Sequence, residues 1–150
     1  MNLVDILDKE LIKVPLVSAD KTSVIDELID VLIDTKHLTP QQRDGIIEAV
    51  KNRESLGSTG IGHGVAIPHA KTDAVKQMRL VVGVSRLPID FDSVDKEPVR
   101  IFFLVLAPLG EAGAHVETLA AIARTCNSQV FRRLLEQTKN ADQVYQLFME

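Results

Sequence analysis

Residues 99–106 read VRIFFLVL, and this stretch decides the fold class of the chain. It is rich in β-branched and aromatic residues, and it is too continuously apolar for a strand with one face in water. We therefore expect a central strand whose two faces are both buried. The run LVVGV at residues 80–84 has the same character and predicts a second central strand.

Helical periodicity precedes these strands. A stripe of apolar residues predicts a core-facing helix over residues 22–35; its members are Ile25, Leu28, Ile29, Leu32 and Ile33. A second helix is expected to begin at Thr39-Pro40, where the threonine caps, the proline takes the first helical position and Gln42 completes a capping box. Gly57 is expected to end this segment, which places Arg53 at the helix end.

Three further helices are predicted after the strands. One begins near Gly113 and carries His115 in its first turn, and the others cover residues 130–138 and 142–148, with Ser128 and Asn140 as caps. Helices early, strands in the middle and helices late predict an α/β fold, a single layered domain over residues 1–150 with a central sheet flanked by helices. The pattern alone leaves open whether the sheet is parallel, antiparallel or mixed.

Composition excludes several classes of protein. The 150 residues are 45% hydrophobic and 25% charged, which is typical of a compact globular domain. The net charge is −4, and the 17 basic residues form no stripe, so nucleic acid is not an expected ligand. No apolar run approaches the length of a membrane helix, and the lone Cys126 is typical of a reducing compartment. We therefore expect a cytoplasmic protein without membrane insertion and with Cys126 as a buried helix residue.

The stretch GSTGIGHGVAIPHAK at residues 57–71 concentrates four of the eight glycines just before Pro68-His69. Such a run lets the main chain approach a ligand closely and turn its N–H groups toward it. The stretch lacks the Gly-Lys-Ser/Thr of a P-loop and the third glycine of a dinucleotide fingerprint, so nucleotide binding is only weakly supported. The glycine spacing around Ser58 is not that of a nucleophile elbow, so a serine hydrolase is not expected. The four histidines and one cysteine form no recognised metal-ligand spacing, so no metal is expected.

The chemistry that remains is a histidine acting as a nucleophile toward a phosphoryl group. A neutral imidazole, with an ordinary pKa of about 6.5, can attack phosphorus through one nitrogen while the other donates a hydrogen bond. On this interpretation Arg53 binds the anionic oxygens. The candidate phosphate-binding residues of the glycine loop are Ser58, Thr59, Gly60 and Gly62.

The residue types and spacing around His69 resemble the phosphohistidine signature of enzyme IIA of the phosphotransferase system, fructose/mannitol class. The similarity runs from Glu54 through Ile61-Gly62 to residues 65–70, VAIPHA. The pair Arg53-Glu54 followed by residues 57–62 (GSTGIG), together with the segments 88–91 and 108–119, looks most like the nitrogen-regulatory branch of that family. Ala70 stands where glycine is common, and His63 occupies a variable loop position.

The resemblance implies a mixed sheet between helical layers and assigns roles to three residues. His69 accepts a phosphoryl group from a phosphocarrier protein of the HPr type, His115 lies beside it and orients the phosphate, and Arg53 helps to stabilise the phosphate. No organic cofactor is implied. The partner that follows would be a regulatory target protein, or a IIB component if the chain is instead a sugar-transport IIA for fructose or mannitol. A non-catalytic interaction domain of the same fold is the alternative of another class.

Each residue also has a purely structural interpretation. His69 could end a strand with its ring bonded to a carbonyl, His115 could be a hydrogen-bonded core histidine, and Arg53 could be a solvated cation at a helix end. Ser58 and Thr59 could equally well cap the turn.

The other two histidines are not expected to take part in the chemistry. His63 is interpreted as a loop residue near the site and His37 as a surface residue.

Overall fold

The computed structural model describes residues 2–150 and contains a six-stranded sheet with five α-helices. The strands are β1 (Ile12–Leu16), β2 (Gly60–Gly62), β3 (Val65–Ala66), β4 (His69–Lys71), β5 (Arg79–Ile89) and β6 (Val99–Ala107). The helices are α1 (Lys21–Asp34), α2 (Arg43–Ser55), α3 (Ala112–Thr125), α4 (Gln129–Glu136) and α5 (Ala141–Met149). Three short 3-10 turns cover Leu3–Asp5, Lys9–Leu11 and Pro40–Gln42.

The sheet is mixed and β6 lies at its centre. The strand order is β1-β5-β6-β3-β2, and β4 also pairs with β6. Strand β6 runs antiparallel to β5 but parallel to both β3 and β4. The central strand predicted from VRIFFLVL is therefore confirmed, as is the mixed sheet that the family resemblance implied.

Alternate residues of β5 and β6 face two separate apolar layers. Val81 and Phe102 pack in one core with Leu28 of α1. Leu80 and Phe103 belong to the other core, which also contains residues of α3, α4 and α5: Ala121, Ile122, Leu135 and Val144. Because both faces of these strands are buried, their sequences are continuously apolar instead of alternating.

One glycine sets the approach of α1 to the sheet. A Cβ at Gly83 would lie 2.7 Å from Leu16 Cδ1 and 2.9 Å from Leu28 Cδ2, closer than real Cβ contacts. A larger residue at this position of β5 would push α1 away from the sheet.

The predicted helices are confirmed to within about two residues at most ends, as expected for boundaries of this kind. The Ser128 and Asn140 side chains accept hydrogen bonds from Phe131 N and Gln143 N, which confirms both predicted caps. At Thr39 the expected capping box is present, with Thr39 N donating to Gln42 Oε1 at 2.9 Å, but the first turn is a 3-10 turn ahead of α2.

The short strands β1 to β4 were not predicted: proline or glycine interrupts β1 and β2, and β3 and β4 have only two and three residues. None of the helices between residues 2 and 150 combines the length and apolar character that a membrane crossing requires. Cys126 is buried at the end of α3, as expected, and its burial raises the pKa of the thiol to about 12.

Candidate active site

His69 lies where the parallel pairing with β6 resumes after an interruption. Ala66 pairs with Phe102 and His69 pairs with Val105, so β3 and β4 keep one register across Ile67-Pro68. Proline has no N–H to donate to a ladder. The N–H of Ile67 turns away and donates to Thr59 O at 3.0 Å.

The carbonyl of Ile67 fixes the tautomer of His69. His69 Nδ1 lies 2.7 Å from Ile67 O. A carbonyl oxygen only accepts hydrogen bonds, so Nδ1 carries the proton and Nε2 keeps its lone pair. The ring is partly buried, and this burial is the main cause that lowers its pKa. At neutral pH the imidazole is uncharged, with Nε2 as its nucleophilic atom.

His115 of α3 packs against His69. The ring centroids are 5.3 Å apart and the ring planes meet at 78°. His115 is only 4% exposed, and its Nε2 is buried with no hydrogen-bond partner among residues 2–150. Burial, followed by the charges of His69 and Lys71, lowers the pKa of His115 to about 4. A neutral His115 with an uncommitted ring nitrogen can bind a group placed on His69.

Arg53 occupies the last turn of α2, near the ring of His69. Its Nη1 donates to Gly57 O at 3.0 Å, and this bond ties the helix end to the start of the glycine-rich segment. The positive charge of Arg53 contributes to the lowered pKa of His69, after burial. The structure thus brings together all three residues to which the sequence assigned chemical roles.

The two hydroxyl groups of the glycine-rich segment are committed to the protein. Ser58 Oγ donates to Phe91 O at 2.7 Å and accepts from Gly60 N at 3.0 Å. Thr59 is buried, and its hydroxyl donates to Glu54. These contacts do not support the phosphate-binding role expected of Ser58, Thr59 and the Gly60 N–H, because their protons already have acceptors.

The glycines serve close packing and a tight turn. A Cβ on Gly60 would lie 2.9 Å from Ser93 Cα, and Gly62 has a φ of +101° beside Asp95. His63 and Gly64, with φ values of +58° and +78°, form the turn between β2 and β3. Positive φ at both central residues is typical of the tight hairpin turn. Gly60 thus has a packing explanation and Gly62 a conformational one, and the phosphate-binding role expected of Gly62 stays a prediction.

The other two histidines have structural contacts. The main-chain N–H of His63 donates to Asp95 Oδ2 at 2.9 Å. His37 was expected at the surface but is partly buried at the end of α1, where its Nδ1 lies 2.8 Å from Thr35 Oγ1. Among residues 2–150, the one group of side chains whose ligand atoms converge as a metal would require is Asp8, Glu10 and His37, and it contains neither site histidine.

The sequence did not identify two charged residues of the site, Lys71 and Glu54, as functional candidates. Lys71 follows His69 by two positions on β4, so the two side chains share a face of the strand, and its charge acts on His115. Glu54 is a buried carboxylate next to Arg53 whose charge acts on His69. Glu54 could have been found from the sequence, because it stands next to Arg53 at a predicted helix end. Lys71 could not, because its position beside His69 depends on strand β4, which was not predicted.

Comparison with known proteins agrees with this geometry. Residues 5–150 match the family model described as phosphoenolpyruvate-dependent sugar phosphotransferase system, EIIA 2. The chain is 34% identical over 145 residues to the nitrogen regulatory protein of Bradyrhizobium diazoefficiens, covering 97% of this chain and 93% of that protein.

It is also 35% identical over 144 residues to the fructose-specific EIIABC component of Bacillus subtilis, covering 96% of this chain but only 22% of that longer protein. The crystal structure of the nitrogen regulatory protein IIA-Ntr from Neisseria meningitidis superimposes with a TM-score of 0.87 at 30% identity, covering 97% of this chain and 98% of that one. The family match, the relatives and the shared fold lead to one conclusion: the chain belongs to the EIIA type 2 family of the phosphoenolpyruvate-dependent sugar phosphotransferase system.

Proposed function

We propose that the chain is a phosphocarrier in which His69 Nε2 accepts a phosphoryl group from a phosphohistidine protein of the HPr type. The observation that carries this proposal is the bond from His69 Nδ1 to Ile67 O at 2.7 Å, which leaves Nε2 as the free nucleophile. A nucleophilic imidazole must be neutral at the working pH, and burial lowers the pKa of His69 in the required direction.

The transfer step is balanced between two imidazole rings. The Nε2 lone pair of His69 forms the new N–P bond while the N–P bond of the donor breaks and its electron pair stays on the donor nitrogen. If the other nitrogen of the donor ring carries a proton, that ring leaves as neutral imidazole. The ring of His69 then holds the positive charge, because Nδ1 keeps its proton, and Ile67 O stabilises it by accepting that hydrogen bond.

Two neighbours bind the transferred group in this proposal. The uncommitted Nε2 of His115, in the tautomer that carries its proton there, donates to a phosphoryl oxygen. Arg53 adds its positive charge, since only one of its five N–H donors is used by Gly57. The hydroxyls of Ser58 and Thr59 are given no part in the binding.

We place the chain in a regulatory branch, where its phosphorylation state is read by target proteins. The similarity to nitrogen regulatory relatives supports this assignment. The similarity to a fructose-specific EIIABC component supports the second candidate, in which the phosphoryl group passes to a IIB component. A cytoplasmic location belongs to the proposal, because a lone buried cysteine is typical of a reducing compartment.

The test is phosphorylation by a phosphorylated HPr-type donor, followed by mapping of acid-labile phosphate. Wild-type protein and His37→Ala are expected to be labelled, and His69→Ala is not. The His37→Ala variant is the matched control, because it removes a partly buried histidine outside the site. Absence of label on the wild type, or retention of label by His69→Ala, would refute the phosphocarrier function.

A second measurement shows whether the phosphoryl group serves transport or regulation. Onward transfer to a purified fructose- or mannitol-type IIB protein would establish the transport role. Phosphorylation-dependent binding of a target protein, lost in His69→Ala, would establish the regulatory role. Target binding that His69→Ala leaves unchanged would instead favour the non-catalytic interaction domain.

A further inference from the structure

A buried carboxylate lies behind the reacting histidine. Glu54, in the last turn of α2, is only 6% exposed. Its Oε2 accepts from Thr59 N at 2.9 Å, and its Oε1 accepts from the hydroxyl of Thr59. One carboxylate therefore holds both the main chain and the side chain of Thr59.

Hydrogen bonds connect Thr59 to His69 through one intervening residue, Ile67. Thr59 O accepts from Ile67 N at 3.0 Å, and Ile67 O accepts from His69 Nδ1 at 2.7 Å. Both polar main-chain groups of Ile67 are thus held in this chain of contacts. A shift of Thr59 would move the N–H side of Ile67 and so displace the main chain at this residue, including the carbonyl that fixes the His69 tautomer.

The negative charge of Glu54 is balanced within the fold. Lys21 Nζ lies 3.0 Å from Glu54 Oε2 and 4.7 Å from the centroid of the Phe91 ring. The carboxylate thus has the main-chain N–H and the hydroxyl of Thr59 as donors and the Lys21 ammonium as its ion-pair partner.

We propose that Glu54 is a positioning residue for phosphoryl transfer, which holds the Ile67 carbonyl through Thr59 and so keeps Nε2 of His69 as the only nucleophilic nitrogen. This proposal rests on the phosphocarrier function for its role in transfer, but the tautomer it requires is a property of the free protein. Glu54 makes no contact with the phosphoryl group in this scheme.

The charge of Glu54 serves the same step. It raises the pKa of His69, against burial and the charge of Arg53. In the transfer described above, the ring of His69 becomes cationic when the N–P bond forms. A nearby negative charge stabilises that cationic ring, so Glu54 acts on the charge of the His69 ring as well as on its tautomer.

A matched control lies on α1. Glu27 is a second buried carboxylate, 8% exposed, and it also accepts from main-chain N–H groups, at Val17 and Ser18, and from a hydroxyl. It likewise pairs with a lysine, Lys13, at 3.0 Å. The Glu27→Gln variant therefore removes the same kind of charge from the same kind of setting, without a connection to His69.

The first test is nitrogen-15 NMR of the histidine rings in unphosphorylated protein. Wild type and Glu27→Gln are expected to show His69 with its proton on Nδ1 alone. Glu54→Gln is expected to show both tautomers and a lower His69 pKa. A single Nδ1–H tautomer with an unchanged pKa in folded Glu54→Gln would overturn the proposal, whatever the outcome of any phosphorylation assay.

The second test is phosphoryl transfer from the HPr-type donor. Glu54→Gln is expected to react between about tenfold and a hundredfold more slowly than Glu27→Gln, because the nucleophile is no longer held in line. Phosphate on both ring nitrogens is expected in Glu54→Gln and on Nε2 alone in the control. Equal rates with a single site of phosphorylation in both variants would overturn the proposal.

Thr59 supplies an independent pair of variants should Glu54→Gln not fold. Thr59→Val removes the hydroxyl at nearly constant volume and is expected to reproduce the mixed tautomers in part, whereas Thr59→Ser keeps the hydroxyl and restores the single tautomer. If Thr59→Val behaves as wild type in both measurements, the contribution of the Thr59 hydroxyl to this link is refuted. Failure of the wild type to accept phosphate would refute the phosphocarrier function alone, since the tautomer measurement does not depend on it.

Discussion

The rings of His69 and His115 meet edge to face, with centroids 5.3 Å apart, although one belongs to a short strand and the other to the first turn of a helix. Each has a lowered pKa, and the first cause in both is burial. Two neutral rings can pack in this way, whereas two protonated rings would repel each other. The neutral pair is therefore the state in which His69 is nucleophilic and His115 can donate to a bound phosphoryl group.

Replacing His115 tests its role in transfer. We expect His115→Ala to slow phosphoryl acceptance by about tenfold to a hundredfold, because a hydrogen bond to a charged group contributes roughly 1.5–3 kcal/mol. Rapid-quench measurement of labelled protein gives the rate. His37→Ala provides the control, and a wild-type rate in His115→Ala would show that the second ring does not assist transfer.

The pair also makes stability depend on pH. Unfolded His115 takes up a proton below its ordinary pKa of 6.5, whereas the folded residue does so only below about 4. Between these values the unfolded state binds more protons, so the free energy of unfolding falls as the pH is lowered from 6.5 to 4. A shift of this size corresponds to at most about 3 kcal/mol.

Urea unfolding at several pH values between 7 and 4 measures this effect. Carboxylates titrate in the same range, so the informative quantity is the difference between wild type and His115→Ala. The variant is expected to lose less stability on acidification. Parallel pH profiles for the two proteins would contradict the assignment of a low pKa to His115.

Arg53 is expected to control the charge of His69. Arg53→Ala removes a positive charge that lowers the His69 pKa, so that pKa should rise, and phosphoryl transfer should slow because the anionic group loses a partner. Arg53→Lys keeps the charge and should leave the pKa near its wild-type value, although the fork geometry is lost. NMR titration of the His69 ring decides the matter, and an unchanged pKa in Arg53→Ala would count against the role.

Two glycine substitutions distinguish packing from backbone freedom. Gly60→Ala places a Cβ 2.9 Å from Ser93 Cα and should destabilise the fold by roughly 1–3 kcal/mol. Gly45→Ala, in α2, meets nothing within 4 Å and should stabilise it by about 0.5–1 kcal/mol. Thermal or urea unfolding measures both. A Gly60→Ala protein as stable as the wild type would exclude the close approach to Ser93.

Local sequence was sufficient to predict the helices and strands whose residue pattern is long and regular. The doubly buried strand β6, all five helices and two side-chain caps follow from periodicity and residue type within each segment. The strands β2, β3 and β4 escaped prediction because two or three residues carry no period and because Pro68 interrupts the pairing. Pairing with β6 defines β3 and β4, and pairing with β3 defines β2.

For the site, the sequence by itself was enough to propose His69 as the nucleophile, since the glycine-rich approach to Pro68-His69 and its spacing are local features of the chain. The tertiary structure decided how the surrounding groups are used, because their partners come from distant segments. The Ser58 hydroxyl donates to the carbonyl of Phe91, and the Thr59 hydroxyl donates to the carboxylate of Glu54. The burial that keeps His115 neutral likewise arises when α3 packs against the sheet, and desolvation of this kind cannot be read from neighbours in sequence.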